Sequence, residues 1–136
     1  MSFLIDTDLL SQLERKRVPP KLAAWVQQNE AEIFLSAVSF AELEFGLRQA
    51  PASHQASLGA WLAETRQKFA SATEALTEQV LVRWKELLAE LKGKRRTITC
   101  EDSLIAATAL FHGHTVATRN KRHFEPTGVE IIDPLA

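Results

Sequence analysis

Short apolar runs, each delivered into a helix or loop rather than a tight hairpin, govern what this chain can become. Ser2 to Ile5, Glu32 to Val38, His114 to Thr118 and Val129 to Ile132 read as strands. Long helical stretches separate most of them, and the loop Arg119 to Gly128 separates the last two. Strands joined in this way pair in parallel through right-handed crossovers. The expected class is α/β: one domain over residues 1–136, with a central, mostly parallel sheet of four to five strands flanked by helices. A chain of 136 residues is the size of one ordinary domain.

The helices follow from caps, breakers and periodicity. Asp6-Thr7 opens a helix that runs to about Arg17, and Pro19-Pro20 breaks it and starts another bearing Leu22, Trp25 and Val26. Ser39 and Glu42 have the Ser-x-x-Glu spacing of a capping box, which predicts a helix to about Gln49, where Pro51 stops it. Ser53 to Phe69 and Thr73 to Lys92 read as two long amphipathic helices, the second with Gly93 as its C-cap. Thr99 to Gly113 is apolar nearly all round, as a buried helix is.

Three carboxylates stand where these elements meet: Asp6 after Phe3-Leu4-Ile5, Glu42 just past Ile33-Phe34-Leu35, and Asp102 ahead of Ser103-Leu104-Ile105. Open α/β folds bind ligands beyond the carboxyl ends of their parallel strands. Acids brought to that edge from three distant segments suit a hard cation, and a hard cation over a phosphate suits phosphodiester chemistry. Each acid also has a purely structural reading, as the cap of its own helix. Together they repel and raise one another's pKa unless a cation offsets the charge. Asp8 and Glu101 are secondary candidates; on a helix Asp8, at i+2, points away from Asp6, as Glu44 does from Glu42. Among the histidines, His54, His112 and His114 have no ligand spacing, whereas His123 follows the third strand on the acids' edge.

Net charge is −1, so no global basic field announces a nucleic-acid partner. Basic residues are nonetheless clustered at Arg15-Lys16-Arg17, at Lys92-Gly93-Lys94-Arg95-Arg96 and at Arg119-Asn120-Lys121-Arg122. Around an acidic pocket, such clusters suit a polyanion; singly, they are solvated turns. The single Cys100 forms no internal disulfide, which fits a reducing, cytoplasmic setting, and no apolar run has the length of a membrane span or of a signal peptide.

Four blocks in order resemble the PIN-domain ribonucleases, in particular the VapC/FitB-like toxin subunits of bacterial toxin–antitoxin pairs. They are Leu4-Ile5-Asp6-Thr7-Asp8-Leu9-Leu10-Ser11, Ser36-Ala37-Val38-Ser39-Phe40-Ala41-Glu42-Leu43-Glu44-Phe45-Gly46, Asp102-Ser103-Leu104-Ile105-Ala106-Ala107 and Val116-Ala117-Thr118-Arg119-Asn120-Lys121-Arg122-His123-Phe124. The tail Thr127 to Pro134 resembles the family's last strand. The resemblance implies a metal-dependent endoribonuclease in which Asp6, Glu42 and Asp102 hold Mg²⁺ or Mn²⁺, directly or through water. Asn120 joins them as a catalytic candidate, and Thr7, Thr118, Arg119 and His123 as substrate contacts. Many relatives carry a fourth acid before the Phe of the last block, and here that residue is His123. The resemblance further implies a homodimer and a cognate antitoxin whose carboxy-terminal segment lies across the active-site groove, near Trp25, Phe45 and Trp61. Operator DNA would be contacted through the antitoxin.

Two other readings stay open on sequence. A haloacid-dehalogenase-type phosphatase would use the Asp-x-Asp of Asp6 and Asp8, Ser36 as its hydroxyl residue and Glu101-Asp102 as its acidic pair, although Leu9 stands where its glycine is expected. A catalytically degenerate PIN module, altered at His123, would function through binding alone.

Overall fold

Strand β1, Phe3–Ile5, is buried along its whole length because both of its faces are covered. Leu4 points to one core with Leu87, Leu91, Ile105 and Val116; Ile5 points to another with Leu9, Leu22, Leu35 and Leu62. Successive side chains of a strand face opposite ways, so one short apolar run nucleates both layers. The computed structural model describes residues 1–136 and continues the chain through α1 (Thr7–Ser11), α2 (Pro20–Asn29), β2 (Ile33–Ser36), α3 (Ala37–Gln49), α4 (Ala52–Lys68), β3 (Thr73–Glu74), α5 (Glu78–Gly93), α6 (Cys100–His112), β4 (Thr115–Ala117), α7 (Lys121–Phe124) and β5 (Ile131–Ile132). The sheet has the order β3-β2-β1-β4-β5. All four pairings are parallel, with Phe3 opposite both Ile33 and Thr115. The carboxyl ends of the strands therefore share one edge. No helix is long and apolar enough to cross a membrane.

Several boundaries differ from the sequence expectation, each for a local reason. Helix α1 ends at Ser11 and passes through a 3₁₀ turn at Gln12–Glu14, short of Arg17, because Arg15 is already extended at φ −65°, ψ 148°. Helix α3 starts three residues earlier than the Ser39 capping box requires. Ser36 is its N-cap and accepts the Val38 N–H at 3.0 Å, which also ends β2 at Ser36 instead of Val38. Thr73 and Glu74 are not helical. They pair with Leu35 and Ser36 as an edge strand, and Thr77 then caps α5 by accepting the Val80 N–H.

The end of α5 also departs from expectation. Gly93 is its last helical residue, and the left-handed position falls on Arg95 at φ 55°. Bonds from Arg96 N–H to Leu91 C=O (3.0 Å) and from Arg95 N–H to Lys92 C=O (3.1 Å) form a Schellman turn with arginine where glycine is usual. Gly113 does take the left-handed position after α6, at φ 77°. Within the segment 119–128 the chain forms α7 and a 3₁₀ turn, not an open loop.

Away from the acids, His112 and His114 both face Glu74 (2.5 and 3.8 Å), and His114 stacks on Phe34 with centroids 4.6 Å apart. His54 pairs with Glu14 at 3.2 Å. These histidines pack and pair within the fold, in keeping with their lack of ligand spacing.

Candidate active site

Asp6 is the first residue beyond β1, and its backbone N–H is held by Ala117 C=O of β4 at 3.0 Å. Its backbone is extended (φ −71°, ψ 163°), so it caps α1: Oδ1 accepts the Leu9 N–H at 2.8 Å. Oδ2 accepts the Thr118 hydroxyl at 2.5 Å. That hydroxyl in turn accepts the Asn120 N–H at 2.9 Å. The strand-end residues Asp6 and Thr118 thus fix the start of the next segment, and both are nearly inaccessible, at 4% and 0% exposed.

Glu42 lies in the second turn of α3, so the helix start at Ser36 carries it outward from the strand edge. Thr7 opens α1 and donates its hydroxyl to Glu42 Oε1 at 2.7 Å. The Thr7 oxygen lies 2.8 Å from the Ser39 hydroxyl. Because Thr7 has one proton and gives it to Glu42, Ser39 donates to Thr7. The serine expected to cap α3 instead orients a catalytic candidate through its neighbour. Asp102 is in the first turn of α6, behind the N-cap Thr99, whose hydroxyl accepts its N–H at 3.1 Å. Its Oδ2 lies 3.1 Å from His123 Nδ1.

These elements enclose a polar pocket of about 230 Å³ with no apolar residue in its wall. Thr7, Asp8, Glu42, Thr99, Glu101, Asp102, Asn120 and His123 line it. Asp6 lies beneath, close enough to feel the charges of Asp8 and Asp102. Asp8, expected to point away, faces the pocket. The i+2 argument assumes that both residues are helical, and Asp6 is extended. Glu101 joins the wall as well, whereas Glu44 points to Arg66 at 3.8 Å. Arg119 is exposed and outside the wall. Trp25, Phe45 and Trp61 do not share a groove. Trp25 packs edge-on against Phe3, Trp61 lines a cavity of about 400 Å³ with Leu10, Leu13 and Val26, and Phe45 borders a separate apolar depression with Leu76 and Leu104.

Burial, more than any neighbour, pushes the Asp6 carboxyl up from 3.8 to about 6, against the lowering hydrogen bonds from Thr118 and Leu9 and with Asp8 and Asp102 adding to the rise. Glu42 is also raised, first by partial burial and then by Glu101, Asp102 and Asp8, against the bond from Thr7. Both carboxylates are thus held at a cost that a positive ion in the pocket offsets. The donor set, oxygen-rich with five carboxylates in and beneath the wall, fits a hard divalent cation. No three of the acids or histidines converge tightly enough to clasp an ion directly. A cation that keeps much of its water, as Mg²⁺ does, suits this spacing better than one stripped of it.

The profile of the PIN domain family matches residues 3–128. The chain belongs to this family. Among curated PIN relatives, a VapC ribonuclease, Y4jK, of Sinorhizobium fredii is 33% identical over 134 residues, spanning 96% of each chain. Toxin FitB of Neisseria gonorrhoeae is 28% identical over 137 residues, again 96% of each. The crystal structure of FitAcB from Neisseria gonorrhoeae superposes with a TM-score of 0.89 at 27% identity and covers 98% of both chains.

The phosphatase reading does not survive this PIN geometry. Ser36 is fully buried and occupied as the α3 cap, and Glu101 and Asp102 open the helix α6 instead of closing a strand.

Thr118 gives the PIN domain a direct test of how Asp6 is held. Thr118→Val keeps the shape but removes the donor to a buried carboxylate and leaves the Asn120 N–H unpaired. The expected loss at pH 8 is about 2–3 kcal/mol in urea unfolding. It shrinks at pH 4, where Asp6 is protonated. An equal loss at both values would mean that the hydroxyl does not serve the charge.

Proposed function

We propose that this PIN-domain chain is a divalent-metal-dependent endoribonuclease and acts as the toxin of a toxin–antitoxin pair. One observation carries the reading: Glu42 near the start of α3 and Asp102 in the first turn of α6 line a single polar pocket, and Asp6, just past β1, lies close enough to Asp102 to feel its charge. The reaction that suits such a pocket is hydrolysis of RNA phosphodiesters, and the ribonuclease and toxin relatives support it.

Asp6, Glu42 and Asp102 would hold Mg²⁺ or Mn²⁺, in part through water. When bound, that cation supplies Lewis acidity toward the phosphoryl group and makes water more acidic. Thr118 fixes Asp6, and Thr7 fixes Glu42 by its Oε1, which leaves Oε2 free to take the proton of the attacking water. Formation of the new oxygen–phosphorus bond breaks the bond to the leaving ribose oxygen, which takes a proton from solvent water, and no protein nucleophile is needed. The Asn120 amide, on the pocket wall, donates to a phosphate oxygen. His123 carries no negative charge and does not replace the missing fourth acid; it steadies Asp102. Asp8 and Glu101 supply the remaining negative charge.

RNA substrate and a cytoplasmic site of action belong to the same reading. So does an antitoxin segment over the pocket, with operator DNA reached through that antitoxin. The cavity beside Trp61 offers an apolar side chain of the antitoxin a place to dock, and the exposed Phe45 face gives a homodimer an apolar area to bury. The test is cleavage of total RNA by the purified chain with Mg²⁺, with Mn²⁺ and with chelator. Cleavage with either ion and none with chelator is the expected result. Glu42→Gln should lower kcat by roughly 10²- to 10⁴-fold. Undiminished cutting in chelator would refute metal dependence. No cutting under any condition, with Mn²⁺ leaving stability unchanged, would leave the degenerate binding module as the answer.

A further inference from the structure

The pocket poses an electrostatic problem that the ribonuclease reading does not itself solve. Asp6, Asp8, Glu42, Glu101 and Asp102 together repel a polyanion, and one divalent ion offsets two of those charges. Cations must stand close by if the chain is to hold an RNA backbone at all.

Two basic clusters, far apart in sequence, lie in segments that the fold ties together and that each lead to pocket residues. The Lys94 ammonium donates to Pro126 C=O at 3.2 Å, which ties the turn after α5 to the segment after α7. Arg119, Lys121 and Arg122 surround the pocket residues Asn120 and His123 in the chain. Arg96 precedes the pocket residue Thr99 by a span of at most about 10 Å. Lys94, Arg95, Arg96, Arg119, Lys121 and Arg122 are all exposed, and none of them is engaged in an ion pair, whereas Arg66, Lys68 and Arg83 each have a carboxylate partner. The third cluster is set apart: Arg15 and Lys16 border a different cavity with Glu14 and His54.

The backbone supplies an independent observation. Arg95 sits at φ 55°, the position of the α5 Schellman turn that glycine occupies most easily. An arginine there is conformationally costly, while the bonds Arg96–Leu91 and Arg95–Lys92 hold the turn in one shape. The turn thus fixes the backbone from which the exposed Arg95 side chain projects.

We propose that Lys94, Arg95, Arg96, Arg119, Lys121 and Arg122 form one cationic track that carries the phosphate backbone of single-stranded RNA away from the acidic pocket on the α5–α7 side. The inference rests on the ribonuclease reading and adds the path of the substrate and the residues that set its affinity.

Arg95→Gly separates stability from binding. It relieves the left-handed strain, so the melting temperature rises by a few degrees, yet it takes one cation away from the RNA backbone. Each cation removed from the track should weaken RNA binding roughly fourfold at 0.15 M salt and reduce the log–log salt slope by about 0.7. Steady-state cleavage of a mixed-sequence single-stranded RNA oligonucleotide should show this as a higher KM with unchanged kcat for Arg95→Gly and for Arg122→Gln. The double variant Arg15→Gln/Arg17→Gln should change neither constant. Unaltered KM and salt slope in Arg95→Gly and Arg122→Gln would overturn the track while leaving the ribonuclease reading intact, because that reading is judged separately by Asp6→Asn. Loss of binding to poly-L-glutamate in these two variants, with RNA binding retained, would also overturn it and assign the strip to an acidic protein partner.

Discussion

Asp6→Asn is expected to abolish RNA cleavage and, in chelator, to make the domain more stable at pH 8 than the parent. The two effects share a cause. Asp6 is 4% exposed, and its carboxyl is pushed from 3.8 to about 6. That rise corresponds to about 3 kcal/mol of discrimination against the charged form. At pH below 3.8 the carboxyl is protonated in both folded and unfolded chains, and the burden is absent. It grows as pH rises, because the unfolded chain ionises first, and is complete above about pH 6. Asparagine has the same shape without the charge. It keeps an oxygen for the Leu9 N–H but offers an amide where Thr118 now donates. The lost charge-assisted bond cancels part of the gain, so a net stabilisation of roughly 1–2 kcal/mol at pH 8 is expected, fading to none near pH 4. Cleavage should fall by at least about 10³-fold, since the proposed cation would lose the charge of Asp6. A preparation free of contaminating nuclease that still cut RNA at the parent rate would remove Asp6 from the site. A variant less stable than the parent at pH 8 in chelator would show that the ionised carboxylate is no burden to the fold.

The same residues show how far sequence reasoning reaches. Strand β1 and the position of Asp6 are legible because Phe3-Leu4-Ile5 is an apolar run followed at once by a capping acid, and nothing in the tertiary structure competes with that signal. The parallel sheet follows from helix-separated strands, and its edge gathers the predicted acids. Strand β3 is hidden because two residues cannot display a strand period, and Leu76 and Val80 continue a helical stripe across the boundary. The α3 boundary is undecidable locally, since Ser36 and Ser39 are both good caps. Tertiary structure resolves it by giving the Ser39 hydroxyl to Thr7. Asp8 is misplaced when helix geometry is applied across an extended residue. Proximity of the 94–96 turn to Pro126 and to the 119–122 segment has no sequence signal at all, because it is created by the packing of α5 against the chain that follows α7.

Binding of a divalent ion should couple to these protonation states strongly enough to see in unfolding. At pH 8 Asp6 is ionised and feels Asp8 and Asp102, and Glu42 feels Glu101, Asp102 and Asp8, so the native pocket carries self-repulsion that an ion relieves and the unfolded chain does not share. An ion at about 100 times its Kd adds about 2.7 kcal/mol to the native state. For a chain of this size that is an upward shift in Tm of roughly 8–13 °C. Protons compete for the same oxygens. As pH falls through about 6, Asp6 takes up a proton, the ion's apparent affinity drops, and the thermal shift should collapse toward zero by about pH 4. Matched ionic strength from NaCl should give little of the effect, because Asp6 is shielded from bulk screening by its burial. Asp6→Asn and Glu42→Gln should each remove most of the Mn²⁺-dependent shift at pH 8, while Arg95→Gly, which alters only the cationic turn, should retain it in full. A shift in Tm that persists undiminished at pH 4, or that survives in both carboxylate variants, would place the ion elsewhere on the chain and separate the acidic pocket from metal binding altogether.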